Sequence, residues 1–252
     1  MHRFFVPPTE LRQSRFALPE AESRHAAQVL RVRAGDEVQV LDGAGRKYDC
    51  VVDTVEKRQV WLRVERDEVV LPPKVKIEVY PAVAKGKAME LIIQKAVELG
   101  ATKICPVVCE HSVAHYDDDR AGDKADKWRL TVIEALKQCG REWLPEITVP
   151  QPFKHCLPSD EDAATLNLVA ALQDGTMTVS ARFTAFTGKR ALPLPATIRL
   201  WVGPEGDFSP EEYRALAEHG VQSVTLGTHV LRCETALLAL LAISQHEIAV
   251  RS

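Results

Sequence analysis

A chain of 252 residues can hold one large domain or two of ordinary size, and 46% hydrophobic with 27% charged residues is the balance of a globular protein, not of a disordered or fibrous one. A net charge of −3 argues neither for nor against a nucleic-acid partner until it is divided along the chain. The six cysteines, at 50, 105, 109, 139, 156 and 233, lie scattered through apolar segments without a disulfide rhythm, which predicts reduced thiols. No signal-peptide pattern is apparent, and the longest strongly apolar run, 236–243, is too short to cross a bilayer. A cytoplasmic protein with no membrane partner is expected.

The first seventy residues read as β-rich. Positions 36–41 alternate, Asp42-Gly43 supplies a turn, and 48–52 and 60–64 supply further strands. A helix is predicted over 21–30, after Pro19, on the spacing Ala26, Val29, Leu30. Residues 1–71 carry 12 Lys+Arg against 12 Asp+Glu, yet within the first 35 the arginines at 3, 12, 15, 24, 31 and 33 face only the acids at 10, 20 and 22. Clustered arginine suits phosphate because its planar fork bonds bidentately, although a solvated arginine-rich face has the same composition. Leu71-Pro72-Pro73 interrupts the pattern and reads as a linker, dividing the chain into domains over 1–71 and 74–252.

Beyond the prolines, strands alternate with helices. Strands are predicted at 75–80, 104–108, 166–172, 198–202 and 221–226. Helices are predicted over 87–99, closed by Gly100, and over 124–139 on the spacing Trp128, Val132, Ala135, Leu136, Cys139. Ser209-Pro210-Glu211-Glu212 starts another, with Ser as N-cap, Pro at the first position and Glu at the third. The last helix, 234–247, is apolar nearly all round and belongs in a core or a subunit interface. The alternation implies an α/β fold with a mostly parallel sheet.

Three segments carry the chemistry. Val202-Gly203-Pro204-Glu205-Gly206 follows a strand, and its glycines let the backbone approach a ligand. Leu226-Gly227 closes the next strand, and Leu231-Arg232-Cys233-Glu234-Thr235 opens the apolar helix. Read singly, each is more readily an ordinary turn or helix cap. Together they lie at carboxyl ends of strands, where open α/β sheets bind ligands. Cys105, Cys109, His111 and His115 lack the short Cys-x-x-Cys spacing of a zinc knuckle, so no metal is expected. Gly43-Ala44-Gly45-Arg46-Lys47 lacks the spacing of a phosphate loop and reads as a hairpin turn.

Taken together the three segments resemble the signature of SPOUT-class RNA methyltransferases. Within that class the chain is most similar to the ribosomal small-subunit methyltransferase E family, which makes N3-methyluridine in 16S rRNA. The likeness extends to Arg3-Phe4-Phe5-Val6, His25 to Arg31 with Gly35-Asp36, Lys85-Gly86-Lys87, Gln94 to Gly100, and Gln138-Cys139-Gly140-Arg141 before Pro145-Glu146-Ile147. The resemblance implies a small PUA-like β-barrel that binds RNA, a SPOUT domain with a deep trefoil knot, and a homodimer. It implies an S-adenosylmethionine pocket at Val202, Gly203, Pro204, Glu205, Gly206, Leu226, Gly227, Leu231, Arg232, Glu234 and Thr235. Arg232 and Arg141 are the expected catalytic cations, and Arg3, Arg24, His25, Arg31 and Arg33 the expected RNA contacts. The alternatives are a SPOUT enzyme acting on another RNA and a non-catalytic RNA-binding ribosome assembly factor. The chain departs from the family pattern at Asp207, usually glycine; His229, commonly arginine; Cys233, usually threonine; and His111, often arginine.

Overall fold

The computed structural model describes residues 1–11, 14–112, 121–159, 162–173, 175–189 and 194–252. By contact the chain divides into two compact units, Met1–Pro72 with Ile133–Leu144, and Pro73–Val132 with Pro145–Ser252.

The first unit is built on five strands, β1 (His2–Phe5), β2 (Arg15–Ala17), β3 (Glu37–Leu41), β4 (Arg46–Val55) and β5 (Val60–Val69). They form one sheet in the order β1-β3-β4-β5-β2, antiparallel except for β1 beside β3. The expected barrel is therefore a sheet with β1 and β2 at its edges, wrapped about a core of Phe4, Val6, Phe16, Val38, Val40 and Leu62. β3 and β4 meet in a hairpin. Asp42 Oδ1 accepts from the amides of Ala44 (2.7 Å) and Arg46 (2.9 Å), and Gly43 (φ 72°) and Gly45 (φ 93°) take the left-handed backbone that such a turn requires.

The single helix expected over 21–30 is two pieces. α1 (Glu20–Arg24) runs into a wider π-type turn over His25–Leu30, which ends at Arg31 in the left-handed conformation (φ 56°). The Val32 amide reaches back six residues to the Ala26 carbonyl (3.1 Å), closing the wide turn past the left-handed Arg31. Ser23 ties this element to the sheet, donating to the Leu18 carbonyl and accepting from the Val60 amide.

The second unit holds a seven-stranded sheet whose neighbours all run parallel. Its strands are β6 (Lys76–Pro81), β7 (Lys103–Ile104), β9 (Glu146–Ile147), β11 (Thr165–Ala170), β12 (Met177–Thr178), β13 (Thr197–Val202) and β14 (Gln222–Thr225), in the order β12-β14-β11-β13-β6-β7-β9. The strand expected over 104–108 is split. Pro106 has no N–H to give a ladder, so β7 joins the large sheet, while β8 (Val107–Val108) pairs separately with β10 (Gln151–Pro152).

Helices α2 (Lys87–Glu98), α3 (Ala121–Cys139), α4 (Phe153–Cys156), α5 (Val179–Lys189), α6 (Pro210–Glu218) and α7 (Cys233–Arg251) complete the fold. α7 is long and apolar enough by length and composition to span a membrane, at a mean hydropathy of 1.3, but it packs on β13, α2 and α5. Its buried face includes Leu237, Leu240 and Leu241, and its buried Glu247 bonds Ser180 and Arg251. Gln245 on the same helix donates to the Leu99 carbonyl at the end of α2 (2.9 Å).

α6 starts as its sequence predicts. Ser209 Oγ accepts from the Glu212 amide (3.3 Å), and Glu212 Oε2 accepts from the Ser209 amide (2.9 Å). Glu212 does more than cap: its Oε1 accepts from the Glu110 amide (2.9 Å), fixing the segment after β8 to the start of α6. Glu212→Ala removes the acceptor of the buried Ser209 amide and breaks the partly buried bond from the Glu110 amide, and we expect a loss of about 1–3 kcal/mol of stability, read as a lowered thermal unfolding midpoint.

Candidate active site

β14, β11 and β13 lie side by side and parallel, so their carboxyl ends open on the same edge of the sheet. A cleft of about 610 Å³, open mouth included, lies there. The expected residues Val202, Gly203, Pro204 and Glu205 line it after β13, and Leu226, Gly227 and Leu231 line it after β14. Gly206, Arg232, Glu234 and Thr235 do not line it.

Other lining residues were not foreseen. Ala170, Ala171 and Leu172 contribute from the end of β11, and Cys233 and Ala236 from the first turn of α7. Asp207, His229 and Val230 complete the wall. The glycine that follows β11, Gly175, lies five residues beyond the strand and is not among the lining residues. The lining by the strand end itself depends on position, since β11 sits between β13 and β14, and strand order is invisible until the strands pair.

The loop after β13 is constrained from several sides. A side chain at Gly203 would come within 3.1 Å of both Asp207 Oδ1 and the Phe208 ring, so the backbone there packs against its own loop. The Asp207 amide donates to the Pro204 carbonyl (2.9 Å), closing a tight turn, and Asp207 itself has a left-handed φ of 63°. Phe208 then buries its ring against Phe153 and Tyr213, at centroid distances of 5.9 and 5.5 Å. The floor beneath is aromatic too: Tyr80 stacks on Trp201 at 4.2 Å, and Phe153 meets Trp201 edge-on.

His111 supports the same loop from outside, its Nδ1 lying 3.1 Å from the Gly206 carbonyl and 3.0 Å from that of Asp207. On the opposite wall Gly227 has a φ of 130°, and an added side chain there would meet nothing within 4 Å, so the glycine serves the backbone conformation. Cys233 is buried and its thiol pKa is pushed up to about 12, first by burial and then by the carboxylates of Glu205 and Glu234, so at neutral pH it is a protonated packing group.

Arg232 is exposed at the N-cap of α7, between the lining residues Leu231 and Cys233. Arg141 belongs to the first unit, where burial lowers the pKa of its guanidinium. Of the expected RNA contacts, Arg24 is exposed at the end of α1, His25 at the start of the π-type turn, and Arg31 and Arg33 just after it. Arg24 pairs with Glu20 at 3.1 Å. Arg3 is engaged elsewhere, with its Nη1 donating to the carbonyls of Lys137 (3.3 Å) and Gln138 (3.0 Å) at the end of α3 and its Nε to Gln39 (3.1 Å). It caps a helix. Arg12 and His115 lie outside the described residues. Among the described residues no group of three His, Cys, Asp or Glu side chains could hold a metal ion.

The profile of the RNA methyltransferase domain matches residues 71–245, and that of the RNA methyltransferase PUA domain matches residues 18–65. The chain belongs to this family. It is 32% identical to the ribosomal RNA small subunit methyltransferase E of Aquifex aeolicus, over 96% of this chain and 98% of that protein. To the protein of the same name from Bacillus subtilis it is 29% identical, over 97% and 96%.

Among solved structures it is similar to a Legionella pneumophila methyltransferase in complex with the cofactor SAM (TM-score 0.85, 28% identity, 97% and 96% of the two chains). It is similar also to a ribosomal RNA small subunit methyltransferase E from Neisseria gonorrhoeae bound to S-adenosyl methionine (TM-score 0.84, 28% identity, 98% and 97%). The large parallel sheet with an N-terminal PUA domain is the SPOUT-class architecture that the sequence led us to expect.

Gly227→Ala forces a side chain into a backbone conformation that favours glycine. We expect a cost of about 1–3 kcal/mol, seen as a lowered unfolding midpoint, with no steric clash to relieve by a second change.

Proposed function

We propose that this chain transfers a methyl group from S-adenosylmethionine to N3 of a uridine in the 16S rRNA of the small ribosomal subunit. The observation that carries this reading is the cleft, which gathers three strand ends in a member of the RNA methyltransferase family. Relatives of similar fold bind S-adenosylmethionine or carry the name of the small-subunit enzyme, which supports the same cofactor and RNA here.

The residues present fit such a cofactor. Gly203 and Gly227 bring bare backbone to opposite walls, and the charged side chains lining the cleft are the carboxylates Glu205 and Asp207, with no lysine or arginine among the lining residues. A cationic ligand suits that wall. When bound, S-adenosylmethionine supplies a methyl group on a sulfonium.

The chain's own residues have two tasks. The lining backbone of 202–205, with Leu226, Gly227 and Leu231, holds the donor so that donor and acceptor meet in line. Arg232 stabilises the negative charge that develops on the uracil ring as its weakly acidic N3–H gives its proton to solvent. N3 lies on the Watson–Crick edge, so the base enters unpaired or flipped out. Arg24, His25, Arg31 and Arg33 hold the RNA backbone and supply salt-dependent affinity. Arg3, committed to the end of α3, is left out of that set. A trefoil knot, a homodimer built on the apolar α7 and a cytoplasmic location without a membrane partner complete the proposal.

Mass spectrometry of 16S rRNA from a strain lacking the gene tests it. N3-methyluridine should vanish and return with a plasmid copy. Loss of a different modification would mean that another RNA position is the substrate, and no loss at all would leave an RNA-binding assembly factor. With purified small subunits we expect Arg232→Ala to reduce turnover at least about 100-fold while the unfolding midpoint is kept; an unchanged rate removes Arg232 from the active site.

A further inference from the structure

Asp207 carries a side chain on a glycine-like backbone, with a φ of 63°. Among the described residues only Asp207 and Arg31 combine a side chain with a left-handed φ. The conformation is least unfavourable for Asp and Asn, whose short side chains can bond locally. Asp207 does so: its Oδ1 accepts from the Phe208 amide (2.8 Å) and from the Tyr213 hydroxyl (2.7 Å). The Tyr213 phenol has its pKa raised by burial and by the Asp207 carboxylate, so it remains a donor.

His111 acts on the same turn. Carbonyl oxygens only accept, so its Nδ1 carries the hydrogen and donates to the backbone of Gly206 and Asp207. Asp207, Tyr213 and His111 thus form one arrangement. Its product is a carboxylate clamped in the wall of the cleft, with Oδ1 3.1 Å from where a side chain on Gly203 would begin.

A clamped charge in a wall without cations discriminates between ligands of different charge. S-adenosylmethionine carries a net positive charge at neutral pH through its sulfonium, and the thioether left after methyl transfer is neutral overall. We infer that Asp207 is a specificity-determining residue which makes the cleft prefer the sulfonium donor to its thioether product, so that spent cofactor exchanges readily. The inference rests on the S-adenosylmethionine reading given above. The cleft is open at its mouth, so water and salt weaken the attraction, and an effect of about three- to tenfold on the ratio of affinities is expected.

Calorimetric titration of the full chain with S-adenosylmethionine and with S-adenosylhomocysteine tests it. Asp207→Asn keeps an acceptor for Phe208 and Tyr213 and tolerates the left-handed backbone, but removes the charge. The Kd for S-adenosylmethionine should rise about three- to tenfold while that for S-adenosylhomocysteine stays within about twofold. Asp207→Gly relieves the backbone and removes both charge and side-chain bonds; whatever happens to each affinity, their ratio should fall to that of the Asn variant. Glycine also supplies the answer should the Asn variant fail to fold. Equal changes for the two ligands, or none, overturn the role of Asp207 and leave the cofactor assignment standing. Failure of the unsubstituted chain to bind either ligand overturns the assignment itself and the inference with it.

Discussion

The parallel pairing of β14, β11 and β13 is the constraint on which the site depends. Leu168, Val169 and Ala170 of β11 align with Gln222 to Val224 of β14, and Thr165 to Val169 align with Thr197 to Trp201 of β13. With all three strands pointing the same way, three loops must leave from one edge of the sheet. The cleft is the space between those loops, as expected for ligand sites in open α/β sheets. Antiparallel placement of any one strand would send its loop to the far edge and leave the cleft without a wall.

The loops themselves are held by ordinary means applied densely. Phe208 drives the chain back into the aromatic cluster of Phe153, Tyr213 and Trp201, which fixes where the turn after β13 must end. Glu212 then ties the start of α6 to the segment that carries His111, and His111 returns to the turn. Each contact is modest alone, and a neutral hydrogen bond contributes only about 0.5–1.5 kcal/mol net. Their joint effect is preorganisation: little ordering is left for a ligand to drive on binding.

Much of this was legible in the residues. The capping box at Ser209, the C-terminal glycine of α2 and the nearly all-round apolar character of α7 are local signals, and they produced the elements they predicted. β1, β2 and α5 went unread because short or weakly periodic segments acquire their form from the partners they pack on. Pro106 was a visible signal passed over, since a proline inside a predicted strand argues for a break. Arg3 shows the opposite hazard: it has the composition of an RNA contact, yet its guanidinium is occupied by the carbonyls that end α3, more than a hundred residues away in sequence.

The sequence by itself determined the alternation of elements, the glycine turns after β13 and β14, and membership of the RNA methyltransferase family, because these depend on local backbone chemistry or on ordered motifs. Only the tertiary structure decided that the end of β11 shares the cleft and that Ile133–Leu144 groups with the first unit. It alone decided that Asp207, His111 and Tyr213 act together. The physical reason is the same throughout. Which strand pairs with which, and which side chain meets which carbonyl across the fold, are set by burial and hydrogen bonding between segments far apart in the chain, where no local pattern records the partner.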